Sequence, residues 1–109
     1  MKLRRQFLWA RSGATERRKT CVIQARRRAE PVGAWAGEGF TATKKIGNAA
    51  VRNRSKRRLR EAARTLLPVL GKPGVDYVFI ARQSTADAPW DQLIADVESA
   101  LKSLAAQLE

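Results

Sequence analysis

The sequence has 109 residues and a net charge of +12, with 22 Lys and Arg against 10 Asp and Glu. This length suits one core, so we expect a single domain over residues 1–109. Such an excess of positive charge favours a polyanionic partner, above all nucleic acid, because binding to phosphates releases condensed counterions. The absence of histidine and the single cysteine exclude an internal disulfide and the usual zinc sites, and they make a self-contained hydrolase hard to assemble.

The charge is divided unevenly along the chain. Residues 1–82 carry 21 basic and 5 acidic side chains, a net charge of +16, whereas residues 83–109 carry 1 and 5, a net charge of −4. We therefore expect the C-terminal segment to face away from the partner. The apolar run at the N-terminus is too short for a signal peptide or a membrane span, and Cys21 lies in an apolar run that is typical of a buried thiol. These features favour a cytoplasmic protein with no membrane partner.

The N-terminal half predicts a short helix and two strands. Leu3, Phe7 and Ala10 recur at helical spacing, which predicts a helix over about residues 2–11, followed by a polar loop at 14–19. Residues 20–26 and 38–44 are rich in β-compatible side chains. We expect these two segments to form strands that pair antiparallel, with a loop containing Gly and Pro between them.

The C-terminal half predicts two helices around a strand. Asn48 is the predicted N-cap of a helix over about residues 49–67, which Pro68 should end. The hydrophobic run at 76–81 predicts a buried central strand. Asp87 and Pro89 predict the start of a last helix, whose apolar residues recur every three or four positions and so predict core packing. These apolar residues are Trp90, Leu93, Val97, Leu101, Leu104 and Leu108.

The segment 44–64 combines nine basic residues with one acid, Glu61. Plotted at about 100° per residue, its apolar residues share one side of the helix and its basic residues the other. Mere solvation of the charges and binding to an acidic membrane are the alternatives, but acids are nearly absent and the apolar side has few large residues. The predicted buried side consists of Val51, Ser55, Leu59, Ala62 and Leu66. The predicted nucleic-acid-binding residues are Lys44, Lys45, Arg52, Asn53, Arg54, Lys56, Arg57, Arg58, Arg60 and Arg64.

The same segment contains a long ordered motif. It reads Lys-Lys-Ile-Gly-Asn-Ala over residues 44–49, then Val-Arg-Asn-Arg over 51–54, Lys-Arg at 56–57 and Arg-Glu at 60–61. This motif closely resembles the signature of the bacterial ribonuclease P protein subunit. A weaker resemblance at 7–8, 39–44 and 76–82 extends it over most of the chain. Ala50 and Ser55 replace larger apolar residues that are usual in the signature, which predicts lighter packing of this helix on the sheet.

The resemblance implies a fold of the α+β class, an α/β sandwich. A small, mainly antiparallel sheet would pack with about three helices, and the basic helix would join two parallel strands by a left-handed crossover, against the general preference for the right-handed sense. The resemblance also implies a cleft between the sheet and the first helix, which receives the single-stranded leader of the substrate. Candidate leader-binding residues are Phe7, Arg11 and Phe40, although core packing is an equal alternative for Phe7.

For function, the resemblance implies a subunit of ribonuclease P. Its partners would be the ribonuclease P RNA and precursor tRNA, and it would assist removal of the 5′ leader. The RNA would hold Mg²⁺ and carry the chemistry, so we expect no catalytic side chain, no metal or cofactor bound by the protein alone, and no obligate protein partner. The alternative that shares the charge is a structural ribosomal protein or general RNA chaperone without a role in cleavage.

Overall fold

The computed structural model describes residues 13–27 and 37–108, which form a four-stranded sheet and two long helices. The α+β class is confirmed, and the predicted helix over 2–11 lies outside the described residues. Within this part of the chain, no helix is long and apolar enough to cross a membrane. In chain order the elements are β1 (Ala14–Arg17), β2 (Cys21–Arg27), β3 (Gly37–Thr41), a 3-10 turn (Lys44–Ile46), α1 (Ala49–Leu70), β4 (Val75–Ala81) and α2 (Trp90–Gln107).

The sheet has the strand order β1-β2-β4-β3. Strand β4 pairs antiparallel with β2 and parallel with β3, and α1 makes the connection between the two parallel strands. The central position of β4 is confirmed, whereas the predicted pairing of β2 with β3 was wrong because β4 lies between them. Because buried backbone N–H and C=O groups must be paired, β4 needs a strand on each edge, and the chain returns through α1 to place it between β2 and β3. The left-handed sense of the crossover stays a prediction.

The segment 14–17, predicted as a loop, forms the edge strand β1. It pairs antiparallel with β2, from Ala14 opposite Ala25 to Arg17 opposite Val22. The connection is tight, since the backbone N–H of Arg18 donates to the carbonyl oxygen of Cys21 at 2.8 Å. Strand formation here depends on the partner strand rather than on local preference, which is why the polar sequence did not reveal it.

Both helices pack on one face of the sheet, where alternate residues of β2 and β4 are buried. The hydroxyl oxygen of Tyr77 accepts a hydrogen bond from the backbone N–H of Lys72 at 3.0 Å, so its polar end is satisfied. Burial raises the pKa of the Cys21 thiol to about 11, which keeps it protonated at neutral pH. The core includes Cys21, Ile23, Ala25, Leu59, Tyr77, Phe79, Leu93, Val97, Leu101 and Leu104.

Helix α1 begins as predicted and ends later than predicted. The side-chain oxygen of Asn48 accepts a hydrogen bond from the N–H of Val51 at 3.0 Å, which confirms the cap. The helix runs through Pro68 to Leu70. Proline deprives the carbonyl of Arg64 of its helical donor, but both residues are exposed, so water can hydrate that carbonyl. Proline therefore did not end the helix as expected.

Candidate nucleic-acid interface

Helix α1 has a buried arc and an exposed arc. At about 100° per residue, the buried residues span about 140° of the helix circumference. This arc is wider than the predicted one and its centre is turned by about 50°, since Ala63 and Leu67 are buried while Val51 and Leu66 are half-buried. The buried residues are Ser55, Leu59, Ala62, Ala63 and Leu67. The exposed side of the helix opposite this arc can meet a partner.

The cations that are most available to a partner are Arg57, Arg60 and Arg64. Together with Asn53 they are exposed and lie within about 60° of one another around the helix. Arg64 approaches Glu61 at 3.9 Å, but 76% and 55% of the two side chains are exposed, so this pair contributes little. We call these four residues, Asn53, Arg57, Arg60 and Arg64, the outer arc of α1. Among the described residues, Glu61 is the acid that pairs with this arc, so the arc is suited to phosphate groups.

Two of the predicted contact residues lie closer to the protein interior. Arg52 falls at the centre of the buried arc near the start of the helix, and it is half-buried. Its Nε atom is buried and has no hydrogen-bond partner within the part of the chain that the structure describes. Lys56 is also half-buried, and around the helix it falls within the buried arc, between Ala63 and Leu67. Lys44 and Lys45, in contrast, are exposed in the 3-10 turn that leads into α1.

Arg54 and Arg58 are bound to the loop over residues 82–88, which connects β4 to α2. The Nε of Arg54 donates to the carbonyl oxygen of Ala86 at 2.8 Å. Arg58 donates from Nη1 to the carbonyl of Thr85 at 2.5 Å and from Nη2 to that of Ala88 at 2.6 Å. Burial, and then the charge of Arg54, lower the pKa of Arg58. These contacts were not predicted, because backbone acceptors leave no motif in a sequence.

The 82–88 loop is itself held by buried polar groups. The Thr85 hydroxyl donates to the carbonyl of Thr20 at 2.6 Å and accepts from the N–H of Arg82 at 2.8 Å. Thr20 in turn donates from its hydroxyl to the carboxylate of Asp96 on α2 at 2.7 Å. Because these buried groups are mutually satisfied, the loop offers Arg54 and Arg58 a fixed set of acceptors.

The aromatic rings near α1 are not placed as the sequence suggested. Phe40 stacks on Phe79, with ring centroids 5.3 Å apart, and the Arg60 guanidinium lies 5.5 Å from its centroid. Phe40 therefore lies on the face of the sheet that the helices cover. Trp90, predicted to be in the core, is 41% exposed, so that prediction was wrong. Phe7 and Arg11 lie outside the described residues.

The opposite face of the sheet carries a mixture of polar and aliphatic side chains. It alternates with the core face along each strand, as the registers show. Within residues 13–27 and 37–108, a Cβ at Gly39 would meet no other atom within 4 Å, so these residues leave space over β3 on this face. The residues on this face include Thr15, Arg17, Gln24, Arg26, Asp76, Val78, Ile80 and Thr41.

Comparison with known proteins identifies the family. The family model described as Ribonuclease P matches residues 2–105. The chain belongs to the ribonuclease P protein family. It is 49% identical over 109 residues to the ribonuclease P protein component of Caulobacter vibrioides strain NA1000 / CB15N, and the match covers 100% of the chain and 72% of that relative. The corresponding protein of Ruegeria pomeroyi is 46% identical over 105 residues, covering 95% of the chain and 84% of the relative.

Solved ribonuclease P proteins share the fold. The Thermotoga maritima protein superposes with a TM-score of 0.74 at 26% identity, covering 94% of each chain. A Staphylococcus aureus ribonuclease P protein gives a TM-score of 0.72 at 26% identity and covers 91% of this chain and 88% of its own. The chain is therefore a protein subunit of ribonuclease P, a tRNA-processing ribonuclease, and its partner is the ribonuclease P RNA.

Proposed function

We propose that the chain binds the ribonuclease P RNA through the outer arc of α1, and that the RNA carries the cleavage chemistry. The observation that supports this most is the separation of the two arcs, since one rigid helix is fixed to the core by Leu59 and Ala62 while Arg57, Arg60 and Arg64 stay exposed. Lys44 and Lys45 extend the same surface at the start of the helix. A helix held in this way can present cations to phosphates without ordering itself on binding.

We further propose that the RNA holds the Mg²⁺ ions of the assembled enzyme. Within residues 13–27 and 37–108, no group of three or more His, Cys, Asp or Glu side chains is placed to hold a metal ion. Mg²⁺ is usually held by only one or two carboxylates together with phosphate oxygens, which an RNA offers in large number. The protein would act through electrostatics and positioning. The single buried thiol is compatible with the reducing cytoplasm, where we place the protein.

Precursor tRNA is the proposed substrate, and its 5′ leader is proposed to lie against the sheet face that the helices leave open. Arg17, Gln24 and Arg26 lie on that face, and the space over Gly39 lets a nucleotide chain approach the backbone closely. Phe7 and Arg11 stay candidates for this site. The ring of Phe40 packs on Phe79 beneath α1, on the other face of the sheet. Phe40 therefore stays a candidate for contact with the leader only because β3 is an edge strand.

Reconstitution tests the proposed function. Added to a bacterial ribonuclease P RNA, the protein should restore cleavage of the leader from precursor tRNA at a low Mg²⁺ concentration where the RNA alone is inactive. The reason is that the basic side chains of the bound protein lower the repulsion between the ribonuclease P RNA and precursor tRNA. Mg²⁺ must otherwise screen this repulsion. Cleavage rates with and without protein across a Mg²⁺ titration provide the measurement.

Two controls make this result specific. The protein without RNA should cleave nothing, and an unrelated basic protein of similar charge should not reproduce the stimulation. No stimulation by the chain itself would contradict the proposed role and favour a structural or chaperone function. Cleavage by the protein alone, abolished by substitution of an acidic residue, would instead indicate a protein metal nuclease.

A further inference from the structure

Trp90 is an exposed aromatic residue in a position where the sequence pattern predicts burial. It begins α2, and 41% of its surface is exposed. Within the described residues, Trp90 and Val69 are the exposed large hydrophobic residues. Removing an exposed indole ring from water is favourable, so a partner that covers the ring would gain binding free energy.

The ring of Trp90 is held in place by Arg58. The guanidinium carbon of Arg58 lies 5.6 Å from the ring centroid, within the range of a cation–π contact. Arg58 is fixed in turn by its two hydrogen bonds to the carbonyls of Thr85 and Ala88. The exposed ring is thus positioned before any ligand arrives, which lowers the entropic cost of binding to it.

The charges around Trp90 favour a base over a phosphate as its ligand. Asp87 and Asp91 lie within three residues of Trp90 and are exposed, and they offset the charges of Arg54 and Arg58, so this place offers little net attraction to a phosphate. Arg58 donates from each of its two terminal nitrogens to a carbonyl group of the protein itself. What this place offers to RNA is an aromatic face, and every nucleobase can stack on such a face.

Trp90 contacts α1, the helix that carries the proposed RNA surface, through Arg58. Arg58 lies about 100° around the helix from Arg57, the nearest residue of the outer arc. Both helices cover the same face of the sheet, whereas the proposed leader surface is the opposite face. The position of the ring thus favours the RNA subunit over the leader.

We propose that Trp90 is a stacking site for an unpaired nucleobase of the ribonuclease P RNA, with Arg58 as the residue that positions the ring. This rests on the proposed function, because it requires that the RNA lie along α1. The site adds a contact that depends on an aromatic face, distinct from the phosphate contacts of the outer arc.

The test compares Trp90→Leu, which keeps apolar volume, with Trp90→Phe, which keeps an aromatic face. Affinity for ribonuclease P RNA is measured at several salt concentrations. Loss of one stacked base should weaken binding by about 5- to 150-fold in the leucine variant, and the phenylalanine variant should retain most of the affinity. The slope of log affinity against log salt should stay unchanged in both, because no phosphate contact is removed. Adding RNA should quench the tryptophan fluorescence of the wild type more strongly than that of Trp90→Phe.

Other results would overturn the stacking site, assign the ring to another ligand or contradict the proposed function. Equal affinities of wild type and Trp90→Leu, or equal quenching in wild type and Trp90→Phe, would overturn the stacking site while leaving the proposed function intact. A changed salt slope would overturn it as well. Weakening seen only for precursor tRNA bound to the assembled enzyme would assign the ring to the substrate instead. Failure of the wild-type protein to bind the RNA at all would contradict the proposed function itself.

Discussion

Replacing Arg57, Arg60 and Arg64 together with alanine will flatten the salt dependence of binding to ribonuclease P RNA. All three side chains are exposed on the outer arc of α1. Each phosphate contact that is lost removes about 0.7 to 0.9 from the slope of log affinity against log salt, so the slope should decrease by roughly 2 to 3. Filter binding or fluorescence anisotropy across a salt series measures it.

The matched control replaces the same three residues with lysine. Lysine keeps the charge but not the planar guanidinium, so this variant should keep most of the salt slope even if its affinity falls. The melting temperatures of both variants should stay near that of the wild type, because surface substitutions usually change stability by less than about 0.5 kcal/mol. An unchanged slope in the alanine variant would show that these arginines only solvate the helix.

Leu59→Ala will strongly destabilise the protein. Leu59 is fully buried in the arc of α1 that packs on the sheet. Removing a core leucine side chain costs about 2 to 5 kcal/mol, because apolar contacts are lost and a cavity remains. For a domain of this size that corresponds to a fall in melting temperature on the order of 10 °C or more. Thermal and urea unfolding of the free protein provide the measurement.

Val69→Ala on the same helix is the control for this experiment. Val69 is 79% exposed, so its truncation should change the free energy of unfolding by less than about 0.5 kcal/mol. Comparable destabilisation by the two substitutions would mean that the buried arc of α1 is misassigned. The stability of the helix on the sheet matters for function, because the outer arc is positioned only while the buried arc is packed.

Local sequence was sufficient for the elements that depend on local rules. The cap at Asn48 and the hydrophobic β4 strand were both predicted, as was the division of α1 into an apolar and a basic side, except that Arg52 and Lys56 fall within the buried arc. Ser55 fits the buried arc poorly by residue type. The structure accounts for it, because its hydroxyl donates to the carbonyl of Val51 at 2.8 Å within the helix and so stays satisfied when buried.

Features that depend on distant partners were not predictable from the sequence. The strand β1 exists because β2 pairs with it, and β2 and β3 are separated because β4 returns through α1. The bonds from Arg54 and Arg58 to backbone carbonyls depend on where the 82–88 loop comes to lie. Arg54 and Arg58, which the sequence does not distinguish from the other basic residues of the helix, are thus bound within the protein. The candidate interface is reduced to the outer arc together with Lys44 and Lys45.

Crosslinking from a cysteine at a chosen position tests most directly whether the exposed arc of α1 lies against the RNA. Burial and the raised pKa of Cys21, about 11, leave an introduced cysteine as the reactive thiol of the folded protein. Glu61→Cys places a photoreactive crosslinker within the exposed arc without removing a cation, and Ala106→Cys places it on the exposed side of α2. Position 61 should crosslink to ribonuclease P RNA at defined nucleotides while position 106 gives little product. Equal crosslinking from both positions, or crosslinking from position 106 alone, would contradict an RNA-binding surface on α1.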